Sequence, residues 1–276
     1  MKRAFRSGPD NQHGQRARHF WNYLARSPGR STVLRSLFVA LHFLTRLPLS
    51  AREMSLEEVG RAAWAFPAVG VLIGGLLTGA GWLLGHLFPP LLVAALVLAF
   101  WVAVTGALHL DGFVDCCDAL LAARPPEVRL EILRDTHVGA FGVIGAAMLL
   151  LVKFAALEAC ISAGQWAVLL LAPSLGRWAM VYTMARYPSA RSTGMGQAVK
   201  GPVGGRTLGG ATLLLLPMLI VGPLEILLSS ALAWLFTLLF ARWVLRRISG
   251  FTGDVYGALC ELVEATVLLA WAGMGG

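Results

Sequence analysis

Charge is what this sequence has least of. Only 14% of its 276 residues are Asp, Glu, Lys or Arg, while 57% are hydrophobic; a soluble domain carries about 25% charged residues. With a mean hydropathy of +0.69, that shortage excludes an ordinary soluble globular domain. Cysteine is scarce as well. Cys116, Cys117, Cys160 and Cys260 form no CxxC pair and no metal-ligand spacing, so all four read as small apolar fillers with free thiols. The N-terminus lacks a short apolar core followed by a cleavage site, so no removable signal peptide is expected. The glycine-rich stretch at 186–201 is not followed by GKS or GKT, which excludes a P-loop.

What is present in abundance is long apolar runs, several reaching the roughly 20 residues that span a bilayer. The expectation is an all-α, polytopic helical membrane protein. About seven transmembrane helices run near 62–86, 91–108, 139–160, 165–185, 207–222, 225–245 and 255–273. Residues 1–34 read as a disordered basic tail, and 35–276 as one integral-membrane domain. Within it, 35–52 is too short to span and fits an interfacial or re-entrant helix. Ser55–Glu58 is a capping-box pattern that starts a new helix.

The net charge of +8 comes mostly from Arg and reads as orientation in a membrane and contact with anionic lipid, without a nucleic-acid partner. With the tail inside, segments 1–61, 109–138, 186–206 and 246–254 fall on the cytosolic side and carry nearly all the Lys and Arg. The opposite loops near 87–90, 161–164 and 222–224 carry none. This places the protein in the bacterial cytoplasmic membrane, with its chemistry on the inner face.

The scarce acids are concentrated: six of the 15 lie between Asp111 and Asp135. In His109-Leu-Asp-Gly-Phe-Val-Asp-Cys-Cys-Asp118, three carboxylates recur at i, i+4 and i+7, one face of a helix. Such crowding resists full ionisation unless a cation sits among the acids, and Mg²⁺ or Mn²⁺, with oxygen ligands, is the natural one. Asp111, Asp115 and Asp118 are therefore expected metal ligands. Asp135 joins them, or pairs with Arg134. His109, Arg134 and His137 are candidate substrate contacts, and Arg191 and Lys200 give the 186–201 loop the character of a phosphate cradle. Asp254 opens the last run, with Glu261 and Glu264 on the same helical face. Acids inside a span need a partner, and Arg177, at similar depth in the fourth run, is expected to supply it; Arg177, Glu261 and Glu264 are also candidate substrate contacts. Lys153 also lies in a span, and no partner is evident in the sequence.

Several blocks occur in order: HLDGFVDCCDAL from 109, RDTHVGAFG from 134, GRW at 176–178, ARSTGMG from 190 and TGD at 252–254. Together they resemble the cobalamin synthases, membrane-bound adenosylcobinamide-GDP ribazoletransferases. The resemblance covers nearly the whole chain from about residue 36. It implies an enzyme that joins adenosylcobinamide-GDP to α-ribazole or its 5′-phosphate with release of GMP, using Mg²⁺. On that reading Asp118 or Asp254 takes the ribose hydroxyl proton. The residues alone leave two alternatives open. One is a CDP-alcohol-type phosphatidyltransferase, although Asp115 and Cys116 stand where its Ala-Arg is expected. The other is a non-enzymatic transporter, although no inverted repeat is evident. Oligomerisation is left open.

Overall fold

The computed structural model describes residues 30–47, 54–135, 137–220 and 223–274. The sequence-expected tail, 1–34, lies outside these residues except for 30–34, which already belong to the first helix. That helix, α1 (Arg30–Leu44), is followed by α2 (Leu56–Ala62) and a 3₁₀ turn (Ala63–Ala65). The capping box forms as expected: the Ser55 hydroxyl accepts from Glu58 N–H, and Glu58 accepts from Ser55 N–H. Then follow α3 (Phe66–Leu84), α4 (Pro90–Thr105), α5 (Leu108–Leu121), α6 (Pro126–Ile132), α7 (Ala140–Ser162), α8 (Ala167–Arg186) and α9 (Met195–Lys200). The chain finishes with α10 (Gly205–Leu213), a 3₁₀ turn (Leu216–Ile220), α11 (Pro223–Leu245) and α12 (Gly253–Met274). No strand occurs among the described residues; one backbone bridge joins Ser189 to Phe251.

Five segments are long and apolar enough to cross a membrane: 56–84, α7, α8, α11 and α12. The bent pair α4–α5, counted as one span, makes a sixth, where the sequence suggested about seven. The run at 207–222 is divided into α10 and a 3₁₀ turn. It still carries the chain between opposite ends of the bundle. Gly196, ahead of it, packs on Gly253, whereas Leu224, after it, lines a cavity with Gly164 and Met274 at the far end. The run at 91–108 ends as the 16-residue α4, which turns by 92° into α5. The bend is made at Gly106 and Ala107, both left-handed, with φ of 62° and 55°. A Cβ at Gly106 would also lie 2.2 Å from the Arg46 side chain. Ala107 has a Cβ and holds this conformation at a cost of about 1–2 kcal/mol.

The centre of the bundle is α8 and α12, whose apolar windows are 78% and 72% buried, against 28–39% for the other spans. Glycines bring α3 against α8: a Cβ at Gly70 or Gly74 would lie 2.5 or 2.2 Å from α8 backbone atoms. The two central helices are tied by charge. Glu264 pairs with both Arg177 and Lys153, and Lys153 Nζ reaches Glu261 at 2.8 Å and Glu264 at 2.6 Å. The expected Arg177–Glu264 pair is therefore present, and the partner of Lys153 is identified. Two cations and two acids match, so no net charge is left in the apolar interior. Lys153 also lies 4.2 Å from the Trp101 ring centroid. All four cysteines are free and buried, as expected.

Helix α5 lies across one rim of this bundle rather than through it. Its Asp118 sits on the start of α7, its Gly112 on the start of α12, and its Leu120 carbonyl beside Arg247 after α11.

Candidate active site

The elements that meet at this rim enclose a cavity of about 330 Å³. Its polar lining comes from His109 and Asp111 of α5, Asp254 and Tyr256 of α12, and Arg191 of the loop before α9. Met180 and Met184 of α8 and Phe43 of α1 make the apolar walls. Close backbone approach assembles it. A Cβ at Gly112 would stand 2.8 Å from Asp254 Cα and O, and one at Gly257 would stand 3.1 Å from His109 O. A Cβ at Gly196 would meet Gly253 N at 2.7 Å. Glycine at these points lets three distant segments touch, so their side chains converge.

The acids divide into two kinds. Asp118 accepts from Gly139 N–H and Gly142 N–H, each at 2.8 Å, one with each carboxylate oxygen. It caps the start of α7, where unpaired N–H groups and the helix dipole favour a negative charge. A Cβ on Gly139 or Gly142 would come within 2.4 Å of that carboxylate, which explains both glycines of the RDTHVGAFG block. Asp118, expected as a metal ligand or general base, is thus held as a helix cap with both oxygens engaged. The Asp135 Oδ1 accepts from His137 N–H at 3.1 Å and lies 2.6 Å from His137 Nδ1, at an exposed site. That carboxylate raises the pKa of His137, first by the hydrogen bond and then by charge.

Asp111, Asp115 and Asp254 remain. Burial, then the charges of Asp254, Asp111 and Asp118, push the Asp115 carboxyl up to about 6. These acids repel one another through their charges. Arg191 offsets part of that charge. It feels Asp254, while burial and Arg134 pull its pKa down. Its Nη2 donates to the Leu130 carbonyl at 3.0 Å, and its Nε has no partner among the described residues. Thr252 Oγ1 donates to Asp254 Oδ2 at 3.1 Å and fixes that carboxylate.

No three His, Cys, Asp or Glu side chains among the described residues converge closely enough to hold one metal. The expected ligands Asp111, Asp115, Asp118 and Asp135 are thus not gathered around one point. The donors still suit Mg²⁺, which takes hard oxygens, commonly from one or two carboxylates, with waters and substrate phosphates completing the shell. A crowded acid group with a raised pKa is the environment such a cation relieves.

Of the expected substrate contacts, the structure brings His109 and Arg191 to the cavity. Arg134 lies exposed near Arg191, and His137 is exposed beside Asp135. Lys200 closes α9 without lining the cavity. Arg177, Glu261 and Glu264 belong to the buried charge network. Tyr256 was missed by the sequence reading. It is 2% exposed and its hydroxyl has no partner among the described residues, and the same holds for both ring nitrogens of the 3%-exposed His109. The signal was its place two residues after Asp254, in the first turn of the last span.

The fold and cavity define an integral-membrane protein with an acid-lined cavity at one rim. The family follows from comparison. A family model described as cobalamin-5-phosphate synthase matches residues 36–272, and the chain belongs to that family. Adenosylcobinamide-GDP ribazoletransferase of Pseudomonas paraeruginosa is 43% identical over 246 residues, covering 87% of this chain and 98% of the relative. The enzyme of the same name from Desulfitobacterium hafniense is 41% identical over 243 residues, 86% and 96% of the two chains. That from Roseiflexus is 39% identical over 231 residues, 83% and 86%. No solved structure matches the chain.

Proposed function

We propose that the rim cavity is where adenosylcobinamide-GDP is joined to α-ribazole, or to its 5′-phosphate, with release of GMP. The activity is that of the family's transferases, in the last step of cobalamin synthesis. The observation that carries the site assignment is the meeting of Asp111, Asp254 and Arg191, which are 143 positions apart at most in sequence, in one cavity. The phosphatidyltransferase and transporter readings lose their basis with the family match.

In the transfer, a ribose hydroxyl oxygen bonds to the phosphorus that carries the corrinoid side chain, the bond bridging the two phosphates breaks, and GMP departs with that bridging oxygen. The chain has three tasks. Asp111 and Asp115 hold a Mg²⁺ ion, which when bound supplies charge neutralisation to the diphosphate. Arg191, with Arg134 at the mouth, holds phosphate oxygens by charge-assisted hydrogen bonds. Asp254, oriented by Thr252, takes the hydroxyl proton. His109 and Tyr256 supply hydrogen bonds to uncharged polar groups of the substrates, which supports reading their unpartnered atoms as binding groups. Phe43, Met180 and Met184 keep water from the diphosphate. The Arg-rich rim supports a cytosolic orientation in the bacterial inner membrane.

The test is GMP release by membranes containing Asp111→Asn or Asp254→Asn, with and without Mg²⁺. Loss of turnover with normal expression is expected; wild-type turnover in both variants ends the assignment.

A further inference from the structure

Helix α5 has a second cavity on its other side. A groove of about 650 Å³ runs between α5, α7, α11 and α12, and its lining is almost wholly apolar. Phe113, Cys116 and Cys117 form the α5 wall, and Ile144 and Met148, 59% and 54% exposed, form the α7 edge. Since α7, α11 and α12 are spans, the groove opens sideways at the depth of the hydrocarbon.

A pair of unmatched cations stands at its upper end. Arg129 Nη1 and Arg247 Nε both donate to the Leu120 carbonyl, at 2.6 and 3.2 Å. The Arg247 guanidinium lies 4.1 Å from the Trp243 ring centroid, and Trp243 lines the groove. Neither arginine forms an ion pair among the described residues. Two guanidinium groups on one carbonyl repel, and the charge of Arg129 contributes to lowering the pKa of Arg247, after burial. An anion above the groove would relieve both.

We infer that this groove binds an anionic phospholipid, with one acyl chain between α5 and α7 and the headgroup phosphate against Arg247 and Arg129. The apolar trough alone fits any lipid; the cation pair at its end selects the negative headgroup. A second copy of the chain would cover the groove but leave two arginines facing an apolar surface. The lipid would also brace the back of the helix whose front carries Asp111.

The experiment is native mass spectrometry of the full chain in detergent, offered phosphatidylglycerol and phosphatidylcholine in equal amounts. Phosphatidylglycerol should be retained preferentially. Arg247→Gln should cut that preference about fivefold, the effect of one surface cation, and Arg247→Lys should restore most of it. Ile144→Trp with Met148→Trp, at exposed positions that spare the core, should lower retention of both lipids. Equal retention of the two lipids, or retention unmoved by both the charge and the groove variants, overturns the inference. So does a dimer that dissociates when the groove is filled.

Discussion

Two clusters of charge lie within this molecule and are built on opposite terms. In the interior, Lys153 and Arg177 match Glu261 and Glu264 and all four are buried. At the rim, Asp115 feels the charges of Asp254 and Asp111, and Arg191 offsets part of the charge on Asp254. The balanced cluster consumes its own charge and joins helices. In the proposed function, the unbalanced one keeps its charge for a ligand. The lesson is that an ionisable residue in a membrane protein is read by whether its charge is already answered, more than by whether it is buried.

The comparison can be broken first at its balanced end. Glu264→Gln leaves two buried cations facing one acid, and removing one partner of a buried pair costs about 3–5 kcal/mol. A large drop in the midpoint of thermal unfolding in detergent is expected, with little folded protein to assay. At the unbalanced end, Asp254→Asn should lower GMP release by about 100- to 1000-fold, the scale of losing one preorganised charged group, while the unfolding midpoint stays within a few degrees of wild type. If both variants unfold alike, the two clusters are of one kind.

Asp118 sharpens the contrast, because it stands in the acidic motif yet is answered. Asp118→Asn keeps one acceptor oxygen and loses the other, which should cost about 1 kcal/mol in stability. Its unfolding midpoint should fall while that of Asp111→Asn does not. The pH dependence separates the clusters further. The Asp115 carboxyl titrates at about 6, so protons compete with a cation below that pH. Mn²⁺ bound at the site, followed by its electron paramagnetic resonance signal, should bind about tenfold more weakly at pH 5 than at pH 7. The smallest effect is expected at His137, exposed and bonded to Asp135: His137→Asn should leave turnover within about twofold.

Much of this was legible in the sequence for physical reasons that can be named. Apolar runs announce spans because lipid demands them, and Ser55 with Glu58 announces a helix start because the contacts are local. The depth of Arg177 and Glu264, counted along two spans, was enough to pair them. What stayed hidden depended on contacts between segments far apart in the chain. Lys153 finds its acids 108 and 111 residues away. The i, i+4, i+7 spacing put Asp118 on the same face as Asp111, but only the docking of α7 decides that Asp118 caps a helix. Likewise composition marked 207–222 as a span, and the break between α10 and the following 3₁₀ turn is not written in hydropathy.

The contact of Gly112 with Asp254 has a consequence for how the enzyme is made. The acidic helix is synthesised first, while the segment that completes its cavity, Gly253–Met274, follows only after α11. A growing polypeptide therefore inserts one wall of the rim cavity early and waits through six further helices for the other. No translation product truncated before Gly253 can assemble that cavity.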